Sequence, residues 1–268
     1  MSKTEKYLEI NRESWNRRTA AHLGSDFYDV PGFVKGRSSL KPIEHGLLGD
    51  FKGKSVLHLQ CHFGQDSISM ARLGAKVTGV DLSDNAIENA ERLAKETNTH
   101  NDTQFICCDI YDLPNHLDAK FDIVFSSYGT IGWLPDLDEW AKVISKYLKP
   151  GGEFIFVEFH PVVWMFNNSF SKIEYSYFKA EAIMETETST YGDKETEMIT
   201  ENVTWNHSLG EVINSLINND LLINSFAEYD YSPYDCFNET EEFEPGKFRI
   251  KHLKNMIPIV FSLKASKV

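Results

Sequence analysis

With 268 residues, 41% of them hydrophobic and 13% aromatic, the chain has a globular composition that can bury a sizeable core, unlike a disordered tail or a fibrous repeat. The formal net charge of −13 and a pI near 5.1 argue against a nucleic-acid partner, which needs a basic stripe to neutralise phosphates. Apolar runs such as Val162 to Phe166 fall far short of the roughly 20 residues that cross a bilayer, and the polar start shows no signal peptide. Four cysteines without zinc or disulfide spacing make a reducing cytoplasm the expected setting, with no metal and no membrane.

In chain order, Thr4 to Arg18 is predicted as a helix, with Ser2 and Glu5 set as a capping box and Leu8 and Trp15 about two turns apart. Asp26 to Lys41 mixes Pro, Gly and aromatics without period and reads as an ordered loop that covers something. Residues 1–50 are therefore expected to be a helix and cover loop, ahead of a main domain over 51–268. From Lys54 short apolar runs alternate with helical stretches, the signature of a parallel sheet. The predicted strands are Ser55 to Gln60, Lys76 to Asp81, Thr103 to Asp109, Phe121 to Ser127 and Glu153 to Phe159. Helices are predicted between them at Asp66 to Leu73, Asp84 to Glu96 with Ser83 as N-cap, and Asp136 to Leu148, the last stopped by Lys149-Pro150-Gly151-Gly152.

Ser171 to Trp205 breaks the alternation with eight acidic residues against three lysines and interleaved aromatics, and reads as part of an insertion at about 165–205 with extended segments. A helix resumes after Ser208, whose pairing with Glu211 is a second capping box, and a strand follows from Leu221 to Tyr229. About 25 residues of loop without a helix then lead to a last strand at Pro258 to Lys264, which would enter antiparallel to its neighbour.

In open parallel sheets ligands bind beyond the carboxyl ends of the strands, beside strand one. There Val56 to Gln60 runs through Cys61 and His62 into a turn with Gly64 just before a helix. Asp81 ends strand two, 17 residues past Gly64, where a carboxylate can accept both hydroxyl hydrogens of an adenosine ribose. Asp109 and Ile110 offer an acceptor for an adenine amino group and an apolar wall for its ring. His58 reads as a hydrogen-bonded core histidine, Cys107 and Cys108 as small apolar fillers, Trp140 as core and Trp133 as a pocket residue. The acidic insertion is read first as a solvated flap.

VLHLQCHFGQD, VTGVDLS, FICCDI, FDIVFSSYGTIGWLPDL and LKPGGEFIFVEFHP, in this order and spacing, resemble the class I S-adenosylmethionine-dependent methyltransferases, most closely a bacterial small-molecule group. The resemblance covers essentially the whole chain. It implies an α/β fold, a Rossmann-like doubly wound seven-stranded sheet in the order 3-2-1-4-5-7-6 with an antiparallel last strand. It also implies S-adenosyl-L-methionine as methyl donor, S-adenosyl-L-homocysteine as product and a small-molecule acceptor. Carried onto this chain, the cofactor contacts are Gln60, Cys61, His62, Gly64, Asp81, Leu82, Asp109, Ile110, Ser126 and Ser127, with Tyr28, Tyr128 and Trp133 toward the acceptor. His58, Gln60 and His62 stand where the family usually has an acidic residue and two glycines, so the loop backbone must approach the ligand with bulkier side chains turned away. Two other readings stay open: an NAD-dependent oxidoreductase, which expects Gly-x-Gly-x-x-Gly after strand one, and a nucleotide-binding protein without turnover. His160, after strand five, is either a general base or a residue that shapes the turn before Pro161.

Overall fold

The structure, a computed structural model, describes residues 3–193 and 196–268. Ser2 of the first capping box and Glu195 of the acidic run lie outside the described residues. Helix α1 (Lys3–Gly24) continues through Thr19-Ala20-Ala21 beyond the expected Arg18 and stops at Gly24. Two short helices, α2 (Val30–Val34) and α3 (Pro42–Leu48), occupy what reads from sequence as loop. Each starts with a proline in its first turn, where the missing N–H costs nothing and the fixed φ suits a helix.

The alternation follows as expected: β1 (Ser55–Leu59), α4 (Gln65–Arg72), β2 (Lys76–Asp81), α5 (Asp84–Glu96), β3 (Thr103–Cys107), β4 (Phe121–Ser127), α6 (Leu137–Tyr147) and β5 (Leu148–Phe159). Ser83 caps α5 by accepting from the Ala86 N–H, and Asp136 caps α6 by accepting from Asp138 and Glu139. The insertion forms an antiparallel pair, β6 (Ile183–Glu187) and β7 (Thr200–Thr204). Helix α7 (Leu209–Asn218), capped by Ser208, and β8 (Leu221–Tyr229) come next. The long loop is not free of structure. It holds a hairpin, β9 (Thr240–Glu244) and β10 (Lys247–Ile250), turned at Pro245-Gly246, with Gly246 at φ 71. Strand β11 (Val260–Lys267) closes the chain.

The main sheet has the order β3-β2-β1-β4-β5-β11-β8, with β1 to β5 parallel and β11 antiparallel to both neighbours. Counting only its seven strands, that is the expected 3-2-1-4-5-7-6. One face buries Trp140, Phe154, Phe156 and Val212 under α6 and α7; the other buries Leu40, Leu48, Phe51 and Met70. The segment before β1 thus supplies core as well as cover. Cys108 is buried, but Cys107 is exposed at the end of the edge strand β3 and fills no core, a departure from the filler reading.

Candidate functional site

The carboxyl ends of β1, β2 and β4 open into one cavity of about 930 Å³, at the upper end of the range for small-molecule sites. Helix α1 roofs it with Asn11, Trp15 and Arg18, and the β6–β7 insertion adds Glu187, Thr190 and Tyr191. The roof is tied down across the chain: Asn11 Nδ2 donates to the Val203 carbonyl at 2.8 Å, and the Val203 N–H donates to Asn11 Oδ1 at 2.9 Å.

The turn after β1 explains how a chain without the usual glycines keeps a tight loop. Gln60 and His62 both adopt left-handed backbone, at φ 53 and 52, a conformation that costs a non-glycine residue roughly 1–2 kcal/mol. At Gly64, with φ 80, a Cβ would sit 2.9 Å from Ala90 Cβ and from the Phe105 ring, so here only glycine fits. The side chains at the other two positions turn aside. Gln60 Nε2 donates to the Thr130 carbonyl at 2.9 Å, while the His62 ring packs edge-on to Trp15, with centroids 5.4 Å apart. Gln60 Oε1 is buried and has no hydrogen-bond partner among the described residues. A buried orphan acceptor in a ligand cavity is a place for a donor, such as an ammonium group.

Asp81 at the end of β2 ties this turn to the next. Its carboxylate accepts from the His62 N–H at 2.7 Å and the Ser83 N–H at 2.9 Å, and burial outweighs those bonds to push it up to about 6. His58 hydrogen-bonds Ser67 Oγ at 2.8 Å, and burial lowers it to about 3, so it is a neutral core histidine. His22, 3.4 Å from the His62 ring, is also held neutral by burial, at about 3.

Gln60, Cys61, His62, Gly64, Asp81, Leu82, Asp109, Ile110, Ser127, Tyr28, Tyr128 and Trp133 all line the cavity. Ser126 and His160 do not. Ser126 is fully buried and bonds Thr130 Oγ1. The His160 N–H donates to the Ile259 carbonyl, its Nδ1 accepts from the Val162 N–H at 3.1 Å, and its Nε2 stands 3.0 Å from Glu228 Oε1. The ring thus lies beside Glu228 of β8 and Phe261 of β11, away from the cavity.

Several wall residues escape sequence reading. Arg18 lies over the Trp15 and Trp133 rings at 5.6 and 5.7 Å and pairs with Glu187 at 2.5 Å. Glu158 in β5, also fully buried, clamps the turn after β4 by accepting from the backbone N–H groups of Gly129 and Thr130 and from the Thr130 hydroxyl. A carboxylate inside a strand just before a turn is the available signal for such a clamp, since a buried charge needs donors nearby.

An open doubly wound sheet with a glycine turn after its first strand and a buried carboxylate ending its second, both facing one cavity, defines a nucleoside-binding protein of the α/β class. Residues 56–152 match the family model described as a methyltransferase domain. It is 33% identical over 138 residues to a ubiquinone biosynthesis O-methyltransferase of Idiomarina loihiensis, a match over 50% of this chain and 56% of that one. The chain spans about half the length of the curated relatives it matches. Among solved structures it shares the fold of an S-adenosylmethionine-dependent methyltransferase from Mesorhizobium loti, with a TM-score of 0.57 and 18% identity over 87% of this chain and all of that one. It also shares the fold of geranyl diphosphate C-methyltransferase from Streptomyces coelicolor, with a TM-score of 0.60 and 16% identity over 98% of both chains. These matches leave the nicotinamide reading without support. Among the described residues no helix is long and apolar enough to cross a membrane.

Proposed function

We propose that this protein transfers a methyl group from S-adenosyl-L-methionine to a small-molecule acceptor and releases S-adenosyl-L-homocysteine. The observation that carries the reading is Asp81: a carboxylate that ends β2, faces the cavity and is braced by the turn that also carries Gln60 and Gly64. The cofactor supplies an electrophilic methyl on a sulfonium. The chain has to hold its three parts and exclude water. Asp81 takes the ribose hydroxyls, Asp109 and Ile110 hold the adenine, and Gln60 Oε1 with Ser127 receives the methionine end. Arg18, buried in the roof, suits the methionine carboxylate. Nothing here requires a metal, because alignment and desolvation supply most of the rate in methyl transfer from a sulfonium. The four free cysteines fit a reducing cytoplasm.

A small-molecule acceptor fits a cavity roofed by α1 and the β6–β7 pair, to which Tyr28, Tyr128 and Trp133 give aromatic walls. Calorimetry tests the reading. Wild-type protein should bind S-adenosylhomocysteine, and Asp81→Ala should lose charge-assisted hydrogen bonds worth about 1.5–3 kcal/mol, at least about tenfold in affinity. Equal affinity in the two proteins would remove Asp81 from the site.

A further inference from the structure

On the β4–β5 side the cavity holds a group that cofactor binding leaves unused. Tyr128, the residue after β4, is fixed in a left-handed backbone at φ 46, with its N–H on the Val157 carbonyl at 2.7 Å. Its hydroxyl donates to Glu44 Oε2 of α3 at 3.1 Å. Glu44 is fully buried, and its other oxygen, Oε1, has no hydrogen-bond partner among the described residues. A buried carboxyl lacking a full set of partners is costly, and one joined to the cavity through a tyrosine hydroxyl is placed to receive a proton from whatever occupies that cavity. The groups near Glu44 are Asp66 of α4, Lys41 just before α3, Tyr128 and Tyr234. Burial first, then the Asp66 charge, push Glu44 up to about 7, where a carboxylate can both take and release a proton near neutrality.

The surroundings of Tyr128 indicate what would be deprotonated. Its ring lies 5.5 Å from Phe159 and 5.1 Å from Tyr234, and Phe237 sits 4.9 Å from Phe159, so this end of the cavity is an aromatic box. Such walls take a planar ring. Resting on the methyltransferase reading, we propose that the acceptor is a hydroxylated aromatic ring, that Tyr128 is the catalytic residue taking its hydroxyl proton, and that Glu44 is the positioning residue that draws the proton through Tyr128. The step balances. The acceptor oxygen forms its bond to the methyl carbon as the carbon–sulfur bond breaks and its electron pair stays on sulfur. The hydroxyl proton passes to Tyr128 Oη while the Tyr128 proton passes to Glu44 Oε2. The positive sulfonium and the negative carboxylate are both neutralised.

The test compares two acceptor probes, phenol and 4-nitrophenol, at about pH 8, where the second is already ionised and needs no base. With phenol, Tyr128→Phe and Glu44→Gln should each lower kcat by about a hundredfold; with 4-nitrophenol the loss should stay within about threefold, and Glu44→Asp should restore part of the phenol rate. A second readout is the pH profile: with phenol the wild-type kcat should fall as pH drops below about 7, where Glu44 already carries its own proton, and Glu44→Gln should lose that limb. Equal losses for both phenols, no loss with phenol, a wild-type phenol profile without a fall below about pH 7, or no methylation of either phenol by a protein that binds S-adenosylhomocysteine would overturn the relay. Failure of the wild type to bind S-adenosylhomocysteine would instead overturn the methyltransferase reading. If Glu44→Gln fails to fold, Tyr128→Phe, which keeps the ring and its packing, decides the kinetic comparison.

Discussion

On the β1–β2 side of the cavity, the groups proposed to meet the nucleoside are backbone turns and strand-end carboxylates: Asp81 on the His62 and Ser83 amides, and Asp109 on the Tyr111 amide. On the β4–β5 side they are side chains from distant segments, Glu44 of α3, Tyr128 after β4 and Tyr234 before the hairpin, brought together by one side-chain hydrogen bond and ring packing. The first half depends on a few neighbouring residues and suits a ligand that never changes. The second can be rebuilt by exchanging side chains without disturbing the turns, which is how one sheet can serve many acceptors.

The sharpest way to break this contrast is at the turn that has no slack. Gly64→Ala places a Cβ against Ala90 and Phe105 and demands a left-handed alanine. Strain of about 1–2 kcal/mol and overpacking of about 1–3 kcal/mol should together lower unfolding stability by roughly 2–5 kcal/mol. Urea denaturation checks it, and a stability within about 0.5 kcal/mol of wild type would show that the turn can relax.

Next in size is the roof. Asn11→Ala leaves both the N–H and the carbonyl of buried Val203 unpaired, a loss of about 1–3 kcal/mol. Hydrogen exchange should quicken in β6 and β7 while β1 to β5 stay protected, and S-adenosylhomocysteine affinity should stay within about threefold. Uniform acceleration through the sheet would mean that roof and core unfold as one.

The smallest effect is in pH. Burial holds Asp81 near 6, above the ~3.9 of an unfolded aspartate. The folded state therefore binds this proton more tightly, and the Asp81 contribution to stability of the ligand-free protein falls as pH rises from about 4 to about 6. A ribose donating hydrogen bonds favours the charged form, so the sign reverses for binding. Affinity for S-adenosylhomocysteine should be about tenfold weaker at pH 5 than at pH 7.5, and Asp81→Asn should flatten that dependence. A flat wild-type profile would show that Asp81 does not meet the ligand.

The same division governs what the sequence discloses. Strand ends are legible because β-branched runs, caps and spacing are local signals, so Gly64, Asp81 and Asp109 can be placed before any coordinates. The left-handed Gln60 and His62 are not, since that conformation is uncommon for any residue but glycine and no local pattern marks it. His160 shows the limit of position without direction: it does follow β5, but the Ile259 carbonyl just before β11 takes its N–H and Glu228 of β8 stands beside its ring, neither of which a linear reading brings near. The Asn11–Val203 pair spans 192 residues and Tyr128–Glu44 spans 84, separations at which no periodicity speaks. The hairpin of β9 and β10 is illegible for a different reason, because a run dense in acids and aromatics masks the alternation that marks a strand.

The most direct measurement is a crystal structure with S-adenosylhomocysteine bound. It should show the ribose hydroxyls on Asp81, the adenine against Ile110, the methionine end between Gln60 and Ser127, and the sulfur facing the aromatic box around Tyr128. A ligand with its ribose away from Asp81, or with its sulfur turned from Tyr128, would contradict the assignment of the two halves.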